Sequence, residues 1–515
     1  MSVYNRFKLL KKELTEIACF NYYTNNTNKS ILSSINELKK IENGKSKSNK
    51  ILLLPLINDT AIVKMTNYFA KIIFNSDNYK IKYFYVPTFI DQPVQKDKMF
   101  AAIFYLKKYL QSYNYFKKSI SLKNSDIIFN NYFLFYSKEV KKKFISKNEI
   151  LNLKYNDINY GDLVYDSYLR YRGKPTINLT DDCLYDINEY AKLLIQKTDL
   201  FFKSNKNVTI LLPYTSYLNW GIITRVALKN KQEVYTYGSS LYILNKIDIE
   251  YPYHSKNMWH YKPYFKLLEN KEKRIEEAKI ALDKRLTGEI SKELYYMKKS
   301  SFDNNDLKFH RVNDNPFIVI FLHCFFDSPH IYGEGLFTDF YEWVNHILEL
   351  ALNNKKVNYY FKPHPNGLPE NEEIIRNLEE KYKNEENIYF LDHNVSNLKI
   401  LEEKPNAIVT YYGTVAHEFA YKNIPVIMTG DNPHISYNFI YNPKSIEEFN
   451  QLLLKPHFLK VPVDYKKNEI LEFYYMHYLY LSKNKTILNF HNSKNFINGD
   501  VDLGYSENFK DLVYN

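Results

Sequence analysis

Cysteine is scarce in this chain: Cys19, Cys183 and Cys324 are its only three, far apart and odd in number. That excludes a disulfide framework and a Cys-x-x-Cys metal site, and it fits a reducing cytoplasm. Long apolar runs are missing too, with no stretch of about 18 or more residues that would suggest a membrane span. The opening "MSVYNRFKLLKKELTEIACF" starts basic but reaches no uninterrupted apolar core, so a secretory signal is not expected. Neither GxxxxGK[ST] nor GxGxxG occurs, which removes the usual cradles of nucleotide hydrolysis and dinucleotide redox chemistry. HExxH, an EF-hand loop and a Cys/His cluster are also absent, so no metal is expected. No repeat period and no nucleic-acid motif stands out.

What is present is a globular composition. A chain of 515 residues, 45% hydrophobic, is too long for one core and predicts two or three domains. The 49 tyrosines and 34 phenylalanines, with abundant Asn and Lys, match the codon bias of an AT-rich genome. The formal charge of +12 suits nucleic acid, an anionic membrane face or an acidic ligand. Much of the excess is scattered, as in "VKKKFISK", and reads first as solvated helix faces. Nucleic acid is supported by net charge alone and is not expected as a partner.

Along the chain two element types alternate. Strand-like runs "ILLLPLI" (51–57), "YKIKYFYV" (79–86), "DIIFN" (126–130), "NVTILLPY" (207–214) and "QEVYTYG" (232–238) are separated by helical spacings at 61–74, 98–120, 133–146, 183–203 and 215–230. Residues 262–300 are charged and helical, and "SSFDNNDLKFHRVNDN" reads as a linker. Alternation resumes with strands at 316–323, 356–362, 387–392, 406–412 and 424–430, and helices at 336–353, 370–383 and from about 414. This order predicts α/β architecture: two Rossmann-like domains with parallel sheets facing across a cleft. The expected division is an N-terminal domain over 1–310, with a helical extension at 1–48 and a helical linker at 262–314. A C-terminal domain follows over 315–462, and a tail over 463–515 packs back towards the first domain.

Ligands of open parallel sheets bind beyond the carboxyl ends of strands, and three polar loops of the second block fall there. In "KPHP", Lys362 is a compact positive charge, His364 can donate to a phosphate oxygen or supply a proton near neutral pH, and the prolines fix the loop. In "YYGTVAHE", Gly413 permits a tight strand-to-helix turn, Thr414 is a natural N-cap, and Glu418, one turn into the helix, can accept hydrogen bonds from a ribose.

"FKPHP" followed about 50 residues later by "TYYGTVAHEFAYKNIPVI" resembles the C-terminal half of GT-B-type glycosyltransferases of bacterial capsule and surface-polysaccharide synthesis. It is similar to the Kdo- and sialic-acid-transferring groups, with a related layout in polyol-phosphate transferases of wall teichoic acid synthesis. "YGDLVYDSYLRY" (160–171) and "HCFFDSPHIYGEGLFTDFYEW" (323–343) look like capsule-group stretches, and the likeness touches most of 155–430. It departs from many relatives in having Gly-Thr where they carry two hydroxyl residues.

The resemblance implies a GT-B-like fold and a cytoplasmic, metal-independent transferase with no cofactor beyond its co-substrate. The donor would be a CMP- or UDP-linked nucleotide sugar, and the acceptor a growing glycan, lipid-linked at the inner membrane, where the basic balance would favour peripheral association. Lys362, His364 and the Gly413–Thr414 turn would hold the leaving phosphate. The base is sought in Asp162 or Asp166, with Arg170 one turn on; the structural alternative has Asp162 capping a helix and Asp166 pairing with Arg170. Asp59 is a further candidate base. Asp327 and His330 would approach donor or acceptor, and Gly333 and Gly335 would let backbone come close to ligand. A phosphorus-group transferase, or a non-catalytic capsule-assembly partner, would use the same fold.

Overall fold

The computed structural model describes residues 50–55, 66, 70, 79–84, 127–128, 143–236, 245–253, 257–289, 300–303, 307, 309–333, 335–365, 367, 369–460 and 467–480. The expected elements at 1–48 and 98–120, and Asp59, lie outside them. The chain forms two compact units. The first takes the described residues up to Arg172 and again from Asn178 to Tyr253; the second takes Gly173–Ile177 and the described residues from 257 to Tyr480.

In the first unit, β1 (Lys50–Pro55), β2 (Tyr79–Phe84), β3 (Ile127–Ile128), β6 (Val208–Leu212) and β7 (Glu233–Thr236) are parallel, and β8 (Asn245–Ile247) closes the edge antiparallel. The order β3-β2-β1-β6-β7-β8 is that of a doubly wound sheet. All five residues of β6 are buried, as a strand covered on both faces requires. Thr66 and Ala70, both helical and buried, fit the helix expected over 61–74.

The helix expected at 133–146 is corrected at its described end. Residues 143–146 are not helical, and Ser146 instead caps a short helix, α1 (Lys147–Leu151), by accepting from Glu149 N–H at 3.1 Å. A two-strand hairpin, β4 (Lys154–Tyr155) and β5 (Ile158–Asn159), leads into α2 (Gly161–Arg172), α3 (Asp182–Ser204) and, after β6, α4 (Tyr217–Lys229). Where α4 crosses α2 a side chain has no room: a Cβ on Gly221 would lie 2.3 Å from Leu163 Cδ2.

The second unit begins with α5 (Tyr261–Leu267) and α6 (Lys271–Leu286). Its sheet follows as β9 (Phe317–Phe321), β10 (Asn358–Lys362), β11 (Ile388–Phe390), β12 (Ala407–Thr410) and β13 (Val426–Met428), all parallel, in the order β11-β10-β9-β12-β13. The order reverses between β9 and β12, which is where an open sheet leaves a crevice. Helices α7 (Phe340–Leu352), α8 (Pro369–Tyr382), α9 (Asn397–Glu402), α10 (Val415–Tyr421) and α11 (Ile446–Leu454) connect and cover the strands. The core includes Ile318, Ile320, Trp343, Tyr359, Phe361 and Val409.

Two expected boundaries move. Helices α5 and α6 belong with the second unit rather than the first. The described part of the tail, α12 (Lys467–Tyr474) with a π-helical turn over Tyr475–Leu479, also packs inside the second unit, against α5, α6 and α10. The physical reason is aromatic burial: Phe473 stacks 4.2 Å from His434 and 5.2 Å from His417, and Tyr474 and Tyr475 are fully covered.

Candidate functional site

The carboxyl ends of β9, β10 and β12 form one edge of the second sheet. Lys362 and Thr410 are both in register with Phe321, so the three form a single row, with Lys362 and Thr410 about 10 Å apart at ordinary strand spacing. The "KPHP" bend and the Gly413 turn thus stand on one sheet edge, one on each side of β9.

Lys362 is only 1% exposed, and no carboxylate lies within ion-pair distance of it among the described residues. Its Nζ stands 5.8 Å from the centre of the Phe321 ring. Burial pulls its pKa down to about 8, with Asp392 and Glu418 acting weakly in the opposite direction. A buried ammonium left this way is costly unless something anionic joins it. His364 is open to solvent but crowded by protein; desolvation and the Lys362 charge hold it below the ordinary imidazole range, while Asp327 pulls it upward. It is therefore neutral near pH 7, which suits the first of the two roles expected of it, donating to a phosphate oxygen, better than the second, supplying a proton.

Beyond β12, Gly413 N–H donates to Thr410 Oγ1 at 3.2 Å, and a Cβ at Gly413 would meet that oxygen at 2.7 Å. Thr410 Oγ1 is 3.3 Å from His323 Nε2, which also accepts from Tyr412 N–H at 3.4 Å. With Nε2 acting as acceptor, the proton of the neutral ring sits on Nδ1. Burial and nearby His364 push the His323 pKa down to about 3, which keeps the ring neutral. Sequence reasoning missed His323. The signal was available in its offset, two residues past β9 as His364 is two past β10.

Thr414 does not cap. Its backbone is already helical and its side chain makes no cap bond; instead Thr414 Oγ1 lies 3.3 Å from Arg285 Nη2. Glu418 is buried, and Arg285 Nε donates to its Oε1 at 2.6 Å, with Nη2 also 2.6 Å away. Asp327 is exposed in a turn that Tyr412 holds, its hydroxyl donating to Asp327 O at 3.3 Å. His330 O accepts from Gly333 N–H at 3.1 Å, and Gly333 sits at φ +108, a conformation glycine suits. Gly335 serves packing rather than ligand approach: a Cβ there would lie 1.7 Å from the Tyr411 hydroxyl.

The first unit's candidates are placed differently. Asp162 is neither a helix cap nor a free base; both its oxygens accept from Arg225, at 2.6 and 2.5 Å. Asp166 is buried within α2, with the half-buried Arg170 one turn on in the same helix. Both oxygens of Asp162 are thus committed to the guanidinium rather than turned towards an acceptor hydroxyl.

No protein-family model matches the chain, and no curated protein matches it. Among solved structures it is similar to KpsC, a β-Kdo 2,7-transferase of Thermosulfurimonas dismutans, at 13% identity and a TM-score of 0.31, over 54% of this chain and 79% of that one. It is similar to a Methanocaldococcus jannaschii UDP-GlcNAc 2-epimerase in complex with UDP-GlcNAc and UDP, at 12% identity and a TM-score of 0.27, over 81% and 96%. It is also similar to the wall teichoic acid polymerase TagF, at 11% and a TM-score of 0.23, over 98% and 100%. Likeness this loose transfers no site; the residues of this chain must carry the reading. Among the described residues, no helix is long and apolar enough to cross a membrane.

Proposed function

We propose that this chain is a GT-B-type glycosyltransferase that moves a sugar from a nucleotide-sugar donor, CMP- or UDP-linked, to a growing surface polysaccharide. The observation that carries the reading is Lys362: a buried ammonium with no carboxylate in ion-pair reach among the described residues, at a strand end beside the crevice of a doubly wound sheet. An anionic phosphate supplies the missing counter-charge. The neutral imidazole of His364 donates to a phosphate oxygen, and the Gly413 turn brings backbone close on the other side of β9.

As the bond from sugar to phosphate breaks, negative charge grows on the leaving phosphate. Fixed donors and a buried positive charge stabilise that state more than the ground state, and one such contact is worth about 3 kcal/mol. Glu418, in the helix that follows β12, accepts from a ribose hydroxyl. The proposal includes a glycan acceptor, lipid-linked at an anionic membrane face, with no further cofactor.

A thermal-shift screen of the full chain with CMP, UDP, CDP and GDP tests the binding half. At least one should raise Tm; no response from any would overturn the reading. Mass and phosphorus NMR analysis of the product tests the reaction. A product that gains a sugar without phosphorus agrees with it, while transfer of a phosphorus-bearing polyol assigns the same site to the alternative chemistry.

A further inference from the structure

Arg285 belongs to none of the motifs that mark the site. It lies in the last turn of α6, more than a hundred residues before Glu418, in a stretch ("EEAKIALDKRL") that reads as a solvated helix face. In the fold it is buried, and its guanidinium reaches two residues of the β12–α10 segment: Glu418, through Nε and Nη2, and Thr414, through Nη2 at 3.3 Å. Burial alone would make the guanidinium less basic; the Glu418 carboxylate, with Tyr478 and Tyr474, outweighs this and keeps it charged. The helix end is fixed as well. Gly288 N–H donates to Arg285 O at 3.1 Å, and Gly288 adopts φ +97 to turn the chain away.

Both nitrogens converge on one oxygen, Glu418 Oε1. Oε2 makes no hydrogen bond among the described residues, and Glu418 is close enough to Lys362 to act on its charge. We propose that Arg285 is a positioning residue of the nucleotide site: it clasps Oε1 so that Oε2 is left to be presented to the ligand, and it holds Thr414 at the same edge. This rests on the reading that the edge binds a nucleotide. Lysine cannot replace it, because an ammonium offers no planar fork able to reach Oε1 twice and Thr414 together.

The test uses the full chain with CMP and UDP as probes, by calorimetry well below Tm, together with donor KM and kcat. Arg285→Lys should keep the fold, weaken nucleotide binding about tenfold and raise donor KM by a similar factor, with kcat changed less than about threefold. In a Glu418→Gln background, Arg285→Lys should add clearly less loss than it causes alone, because the larger part of its effect runs through Glu418 Oε1 and only the Thr414 contact remains to be lost. The neutral pair Arg285→Met with Glu418→Gln removes the buried charge imbalance; it serves if Arg285→Lys does not fold, and its loss beyond Glu418→Gln alone should be limited to that of the Thr414 contact. Unchanged affinity in a folded Arg285→Lys protein, or losses that simply add in the double variants, would overturn the proposal. Wild-type protein that binds neither probe would instead sink the nucleotide reading beneath it.

Discussion

Among the described residues each unit buries one arginine against a carboxylate, and the two pairs differ in what they leave over. In the first, Arg225 meets both oxygens of Asp162, donates to Asn159 O at 2.8 Å and stands 5.6 Å from the Tyr253 ring centre. In the second, two nitrogens of Arg285 share one oxygen of Glu418, and an unneutralised ammonium acts on the same carboxylate. The first pair saturates its carboxylate and works as a strut between helices. The second leaves an acceptor and a cation at a sheet edge, so its geometry has a use beyond stability.

The largest effect that would break this contrast is at Lys362. Lys362→Met should cut turnover by about 100-fold or more, on the scale of a lost oxyanion-type contact. The unliganded protein should nonetheless become more stable. The folded pKa of about 8 is below the free value of 10.5, so the folded state resists the proton and burial costs roughly 3 kcal/mol below pH 8. That cost fades as pH rises towards 10.5. Melting curves of both proteins between pH 7 and 9.5 should therefore converge, and a Lys362→Met protein less stable than wild type at pH 7 would deny the uncompensated charge. By the same charge argument, wild-type nucleotide affinity should fall as pH rises through about 8. His364→Ala should also lower turnover about 100-fold with the fold intact.

Next comes the strut. Asp162→Asn leaves Arg225 buried beside a neutral partner and should cost about 3–5 kcal/mol of stability. Turnover per folded molecule should not change. A variant that melts like wild type but no longer turns over would restore Asp162 as the base and undo the comparison.

The strands were readable because parallel sheets covered on both faces spell continuous apolar runs, and "PFIVIF" and "ILLLP" do so. Lys362 and His364 were readable because prolines pin them just past a strand. Arg285 and His323 were not singled out, for different reasons. An arginine on a lysine- and glutamate-rich helix looks solvated until the helix it packs beneath is known. His323 lies in the polar loop after β9, yet only the register between β9 and β10 places it level with His364. The boundary error has the same origin: nothing local in 262–300 says which sheet its apolar positions will cover.

A second contrast between the units concerns acid. Every described histidine lies in the second unit. His417 and His434 share a buried hydrogen bond of 3.1 Å, and burial holds both well below the usual imidazole range, as it does His477. Their folded pKa values are depressed, so the stability they carry is full above pH 6.5 and is lost as pH falls below it. Each contributes about 1.4 kcal/mol per pH unit in that window. Hydrogen exchange at pH 5.5 should therefore open α10 and α12 before β6 and α4. Simultaneous opening would mean the histidines do not set the acid limit.

The smallest effects separate two glycines of the second unit. Gly335→Ala drives a methyl into the Tyr411 hydroxyl, which donates to Phe337 O at 3.3 Å, so the ring must move. Overpacking of this kind costs about 1–3 kcal/mol, and nucleotide affinity should hold, because Tyr411 lies in the core. Gly413→Ala is crowded by Thr410 Oγ1 alone, a single atom able to rotate away, and meets Val415 Cγ2 and His323 Cε1 at ordinary contact, so its stability cost should be the lesser of the two. Rotation, however, takes the hydroxyl off His323 Nε2 and frees the ring's tautomer. Affinity should then fall several-fold with Tm almost unmoved. The reverse pattern, in which Gly413→Ala melts early and binds normally, would make the turn a packing feature and leave Lys362 without its partner across β9.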